Sequence, residues 1–177
     1  MIIIRYSMSM NKKISASKES GLDKRSKDLR KLVMRGFVNS KKGHVGSSFS
    51  MIEILRVLYD DILKFDATKP GWPKRDRLII SPGWASLAQY ALLSDKGYFP
   101  DSLLDNFLDT ESPLGGCLEE IVPGVEATTG ACGHGLSIAV GMAISLKIKK
   151  QREQDRKRDK EREREGERKR QRVRERE

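Results

Sequence analysis

The sequence predicts an α/β fold: the helix-rich front part of a parallel-sheet domain, followed by a charged C-terminal helix or disordered tail. Three observations predict it. The run Arg77-Leu78-Ile79-Ile80-Ser81, closed by Pro82-Gly83, has the form of a short buried strand. Segments with apolar residues at helical spacing lie on either side of it. A polar loop carrying Gly124, Gly130, Gly133 and Gly135 then opens into the apolar stretch Leu136–Ile148. A glycine loop feeding a helix leaves backbone N–H groups available at the positive end of the helix dipole, which suits a phosphate or diphosphate. A helix apolar on nearly every side belongs inside a large assembly. With one good strand before Lys149, the domain is expected to be incomplete.

The elements follow in order. Residues 1–20 are polar after Ile4 and are expected to form a disordered leader. Leu22, Leu29, Leu32, Val33 and Phe37 predict a first helix ending near Asn39–Gly43. Gly43-His44-Val45-Gly46-Ser47-Ser48 is expected to be a tight polar turn. Ser50-Met51-Ile52-Glu53 then has the form of a capping box that starts a second helix, running to about Lys64. Pro70, Gly71 and Pro73 mark a loop before the strand. Trp84–Lys96 is expected to be helical and to stop at Gly97. Pro100 begins a short helix through Leu108, and Thr110–Pro123 is another loop.

Composition divides the chain. Residues 151–177 contain 13 Lys/Arg and 9 Asp/Glu, for a net charge of +4 out of +10 overall. The body, residues 21–149, is therefore only mildly basic, and the pI near 9.7 is weak support for nucleic acid as a partner. The tail, 150–177, has Val173 as its one apolar residue and cannot build a core. Its opposite-charge pairs along a helix are worth only about 0.2–0.5 kcal/mol each. Cys117 and Cys132 fit no zinc or redox spacing, so reduced thiols and a cytoplasmic setting are expected. The apolar start Ile2-Ile3-Ile4 is too short for a signal-peptide core, and no stretch is long enough to span a membrane.

Four stretches together resemble the N-terminal part of transketolase. They are Gly43–Ser48; Trp72–Ser81; Gly97-Tyr98-Phe99-Pro100; and Pro123–Gly130 with Gly133-His134-Gly135. The resemblance runs from about Leu29 to Ile148. It implies an incomplete thiamine diphosphate-binding fold and a dimer-interface site holding that cofactor with Mg2+. The implied activity is transfer of a two-carbon ketol unit between sugar phosphates. The implied partner is a second copy or a C-terminal transketolase subunit; no membrane or nucleic acid is expected. By the same resemblance, His44 lies in the substrate channel and assists proton transfer. Gly130, Ala131 and Cys132 meet the cofactor largely through backbone.

The chain departs from the family at several positions. Trp84 stands where a histidine is usual near the diphosphate; it can donate one hydrogen bond but cannot titrate. Cys117 stands in the Gly116-Cys117-Leu118 segment where the family has Gly-His-Pro, facing the substrate. His134 replaces a common glutamine. Beyond Lys149, the charged tail stands in place of the Gly-Asp-Gly strand motif that supplies metal ligands, so no metal-binding residue is expected in this chain.

Plainer readings accompany each residue. His44 can be a turn histidine, Trp84 a packing residue, and Cys117 and Cys132 small fillers. Gly130–Gly135 can be glycines needed only for packing, since a glycine-rich loop alone is a weak signal. Two further functions remain alternatives: a catalytically inactive truncated relative, and a mixed-charge interaction protein whose tail binds RNA or a protein partner. Against RNA, the tail has no interleaved aromatics for base stacking.

Overall fold

A computed structural model describes the backbone of residues 2–4 and 22–174, with side chains as far as Arg164. The chain divides into two compact units at Ala139/Val140, upstream of the composition change at Lys149. The first unit begins with β1 (Ile2–Ile4) and continues through α1 (Lys24–Ser40), α2 (Val45–Val57), β2 (Arg77–Ile79) and α3 (Ser86–Asp95) into the first turn of α4 (His134–Arg174).

Helix α1 starts where Asp23 caps it, its carboxylate accepting from the Ser26 N–H at 2.8 Å. Leu29 and Val33 are fully buried, as their spacing predicts, whereas Leu22 precedes the helix and is exposed. Helix α2 begins earlier than the sequence suggests. Its first bond runs from the Ser48 N–H to the His44 carbonyl at 3.0 Å, so Val45–Ser48 is a helical turn rather than a polar loop. Ser50 is inside the helix, and its hydroxyl donates to the Ser47 carbonyl at 2.7 Å. The capping-box reading of Ser50–Glu53 therefore fails, because Glu53 is taken by the Arg30 guanidinium from α1. The helix continues through a π-helical turn, Leu58–Ile62, that buries Leu58 and Tyr59.

The Arg30 guanidinium holds the Glu53 carboxyl below its ordinary value of 4.5. Stability from a depressed carboxyl is present above the ordinary value and is lost as pH falls through the lower folded one. Lowering the pH below about 4.5 should reduce the thermal midpoint of the natural chain more steeply than that of an E53Q variant. Equal slopes in calorimetry would contradict this.

The leader expectation changes at its start. Ile2–Ile4 forms β1, antiparallel to β2, with Ile2 opposite Ile79 and Ile4 opposite Arg77. Three successive β-branched residues suit a strand, and Ile4 is buried. Residues 5–20 lie outside the described residues. The segment Leu78–Ile80 is buried as expected. However, its pairing among the described residues is antiparallel, whereas the sequence suggested a parallel strand. An apolar run dictates burial on both faces and leaves strand direction open.

Helix α3 is the centre of the core. Every residue from Ser86 to Ser94 is buried, and α1, α2 and the 3-10 segment Asp101–Asn106 pack around it. Gly97, with φ +82°, takes the left-handed conformation that ends the helix region. Leu104, Phe107 and Leu114 close the core from the following loops.

The apolar helix α4, expected to be covered only in a larger assembly, is largely exposed beyond Ala139 in this single chain. In the second unit, Val140, Ile144 and Ile148 are each about half exposed or more, and the helix continues into the charged tail as far as Arg174. Exposed apolar side chains at four-residue spacing favour association. The sedimentation coefficient should rise with concentration, and I144E should reduce that rise. A chain that stays monomeric at high concentration would count against this. Among the described residues, no helix is long and apolar enough to cross a membrane.

Candidate functional site

The site forms where the chain leaves β2. Ser81, Pro82 and Gly83 carry the backbone from the strand into a 3-10 turn, Gly83–Ala85, and then into α3. Ligands of open α/β sheets collect at this carboxyl end of a strand. The Ser81 hydroxyl oxygen accepts from the N–H groups of Gly133 (2.9 Å) and Gly135 (3.2 Å). It thus clamps the glycine loop and the start of α4 to the strand end. Gly135 lies so close that a Cβ there would sit 2.7 Å from the Ser81 Cα. At Gly83 a Cβ would sit 2.3 Å from the Thr129 carbonyl oxygen and 2.8 Å from the Gly130 Cα. These glycines allow two backbone segments to touch.

A second clamp holds the loop from the other side. Thr129 is buried, and its hydroxyl donates to the Ile80 carbonyl at 2.7 Å. Its N–H donates to the Leu118 carbonyl at 3.0 Å, forming an isolated antiparallel bridge. Cys117 is placed by the Tyr90 hydroxyl, which donates to the Cys117 carbonyl at 2.9 Å. Burial raises the Tyr90 phenol, which therefore stays protonated as a donor. Ser86 likewise donates to the Gly116 carbonyl at 3.0 Å.

Upstream, the Arg75 guanidinium donates twice to Glu126, at 2.8 and 2.7 Å, and the Arg77 Nε lies 3.6 Å from the same carboxylate. The Glu126 side chain is 8% exposed, so this is a nearly buried ion pair anchoring the segment that leads into the loop.

The structure brings the sequence-selected residues together around this hub. The His44 and Trp84 rings face each other at 4.6 Å between centroids, tilted by 49°. Trp84 is half exposed and follows Gly83, whose backbone meets Thr129 and Gly130 of the loop. It is therefore not sealed in the core beneath α3. Cys117 lies across from Gly130, its sulfur 3.3 Å from where a Gly130 Cβ would stand. Ala131 and Cys132 are exposed on the loop. Among the described residues, no acceptor is bonded to the N–H groups of Gly130, Ala131 or Cys132. Three consecutive open amides beside a glycine suit an anion. Ser81, Gly83, Thr129 and Glu126 were not singled out in the sequence. The available signals were Ser81-Pro82-Gly83 at the end of the strand-like run and the stretch Pro123–Gly130, which contains Glu126 and Thr129.

A glycine loop pinned to a strand end, with open backbone donors, suits an anionic group such as a cofactor diphosphate. The family description "Transketolase, thiamine diphosphate binding domain" matches residues 23–162. The chain belongs to the transketolase family through this N-terminal domain.

Its relatives agree. The 6-deoxy-6-sulfo-D-fructose transketolase subunit SqwG of Clostridium sp. (strain MSTE9) is 43% identical over 114 residues, covering 64% of this chain and 42% of that protein. An apulose-4-phosphate transketolase subunit of Phocaeicola vulgatus is 38% identical over 120 residues, covering 68% and 43%. Among solved structures, transketolase from Leishmania mexicana superposes with a TM-score of 0.66 at 36% identity, covering 68% of this chain and 18% of that one. The chain thus spans less than half of these subunits and under a fifth of the whole enzyme.

Proposed function

We infer that this chain is a fragment or N-terminal subunit of a transketolase and contributes the backbone side of a thiamine diphosphate site. The observation that carries this reading is the open run of amides at Gly130–Cys132, held in place by Ser81 and Thr129. When bound, thiamine diphosphate supplies the carbanion chemistry of two-carbon transfer. The residues of this chain do the rest of what can be assigned to it. The loop amides bind the diphosphate oxygens. His44 holds or moves a proton at its imidazole, its ring set against Trp84. Cys117 borders the approach to Gly130, and Trp84 stands beside His44.

Mg2+ is not accommodated by these residues. Among the described residues, no group of three or more His, Cys, Asp or Glu side chains could hold a metal ion. Hard-cation ligands would have to come from outside the described residues. We propose that the chain assembles with a C-terminal transketolase subunit or a second copy and acts on sugar phosphates in the cytoplasm. Two relatives named as subunits support the first arrangement.

Calorimetry with thiamine diphosphate, with and without Mg2+, tests the reading. Saturable heat from this chain alone, or from this chain with a partner supplying metal ligands, is the expected result. No heat under either condition overturns it and favours the second reading, an inactive relative. That alternative is supported by Trp84, which cannot titrate, and by Cys117, both of which stand where the family's histidines are expected.

A further inference from the structure

We propose that Ser81 is itself a binding residue of the site, its hydroxyl donating a hydrogen bond to an oxygen of the bound diphosphate. This rests on the function inferred above and adds a side-chain donor to the backbone ones. A serine hydroxyl has two lone pairs and one proton. Both lone pairs of Ser81 are taken, by the N–H groups of Gly133 at 2.9 Å and Gly135 at 3.2 Å. The oxygen is tetrahedral, so the Cβ and the two accepted bonds leave one direction for the proton. Among the described residues, no acceptor receives it. Ser81 is only partly buried, so the proton can meet solvent or a ligand.

The position of this hydroxyl fits the anion assigned to the loop. Its oxygen is bonded to the Gly133 N–H, and Gly133 directly follows Cys132, the last of the three open amides. The side chain is also held close. A Cβ at position 135 would sit 2.7 Å from the Ser81 Cβ and 3.1 Å from its Oγ, so only a glycine there admits the serine as it stands. The bonding raises the strength of the free donor. An oxygen that accepts two N–H bonds is polarised, and its own O–H becomes a better donor for it. Gly133 and Gly135 direct their N–H groups to Ser81, and Ser81 passes that polarisation on through a single neutral O–H. The proton stays on Ser81, and the ligand oxygen only accepts it as a hydrogen bond.

The test uses the full chain and pyrophosphate as the probe, under the calorimetric conditions given above. Two readouts are needed, because S81A also removes the clamp on the loop. In the natural chain, saturation with pyrophosphate should slow exchange of the Ser81 hydroxyl proton with water by at least about tenfold, as a hydrogen bond to a charged acceptor does. In the same complex that proton should show a scalar coupling to phosphorus. S81A should bind pyrophosphate at least about tenfold more weakly than the natural chain. S81A binding as tightly as its parent would overturn the proposal. So would weaker binding by S81A together with an unprotected, uncoupled hydroxyl in the natural complex, which would leave Ser81 as a clamp alone. If S81A does not fold, the hydroxyl readout on the natural chain decides. Binding with a freely exchanging hydroxyl refutes the donor role and leaves the functional reading standing. No binding under any of the conditions refutes both.

Discussion

A G83A chain loses about 1–3 kcal/mol of stability, and its glycine loop is displaced from the strand end. The added methyl meets the Thr129 carbonyl oxygen at 2.3 Å and the Gly130 Cα at 2.8 Å. Both are backbone atoms, so no side-chain rotation relieves the contact. The Thr129 hydroxyl and N–H are already bonded to Ile80 and Leu118, so the loop can withdraw only by breaking them. Urea unfolding measures the loss, and calorimetry should show the anion site weakened in the same variant. G46A is the control. A Cβ there meets nothing within 4 Å, and the position lies in α2, where alanine should stabilise by about 0.5–1 kcal/mol. A G83A chain as stable as its parent would refute the close-approach argument.

E126Q has the other large effect, a loss of about 3–5 kcal/mol. It leaves the Arg75 and Arg77 guanidinium groups with no carboxylate, at side-chain exposures of 16% and 12%. A neutral amide can accept one hydrogen bond from Arg75 but cannot offset two charges in a largely buried place. The cost should appear in urea unfolding as a lower midpoint with an unchanged slope. Conversely, D28N should cost little, because its partner Lys31 is mostly exposed and the pair is screened by water. Equal midpoints for E126Q and D28N would contradict this ranking.

Much of the site was legible because its chemistry depends on residue types with strong local meaning. Glycines at 130, 133 and 135 marked a backbone that something must approach. His44 and Trp84 were selected separately, and the fold sets their rings side by side. What stayed hidden are contacts between distant segments. Ser81 is a plain serine in sequence; only the fold brings Gly133 and Gly135 to its oxygen. Glu126 was one residue of a recognised stretch, and its partners lie 49 and 51 positions away. The capping box at Ser50 misled because local pattern and tertiary demand compete for Glu53, and Arg30 from α1 wins it. For the same reason, the three isoleucines at the start belong to β1, not to a leader: their partner is more than seventy residues distant.

Helix α3 has every residue from Ser86 to Ser94 buried, and the turn bearing Gly83 and Trp84 is its direct N-terminal extension. Opening that helix exposes the whole first unit's core at once, so its amides should exchange with solvent only through global unfolding. The cradle inherits this stiffness from the strand–turn–helix junction. Its ordering entropy is lost when the chain folds, leaving little to lose when an anion arrives.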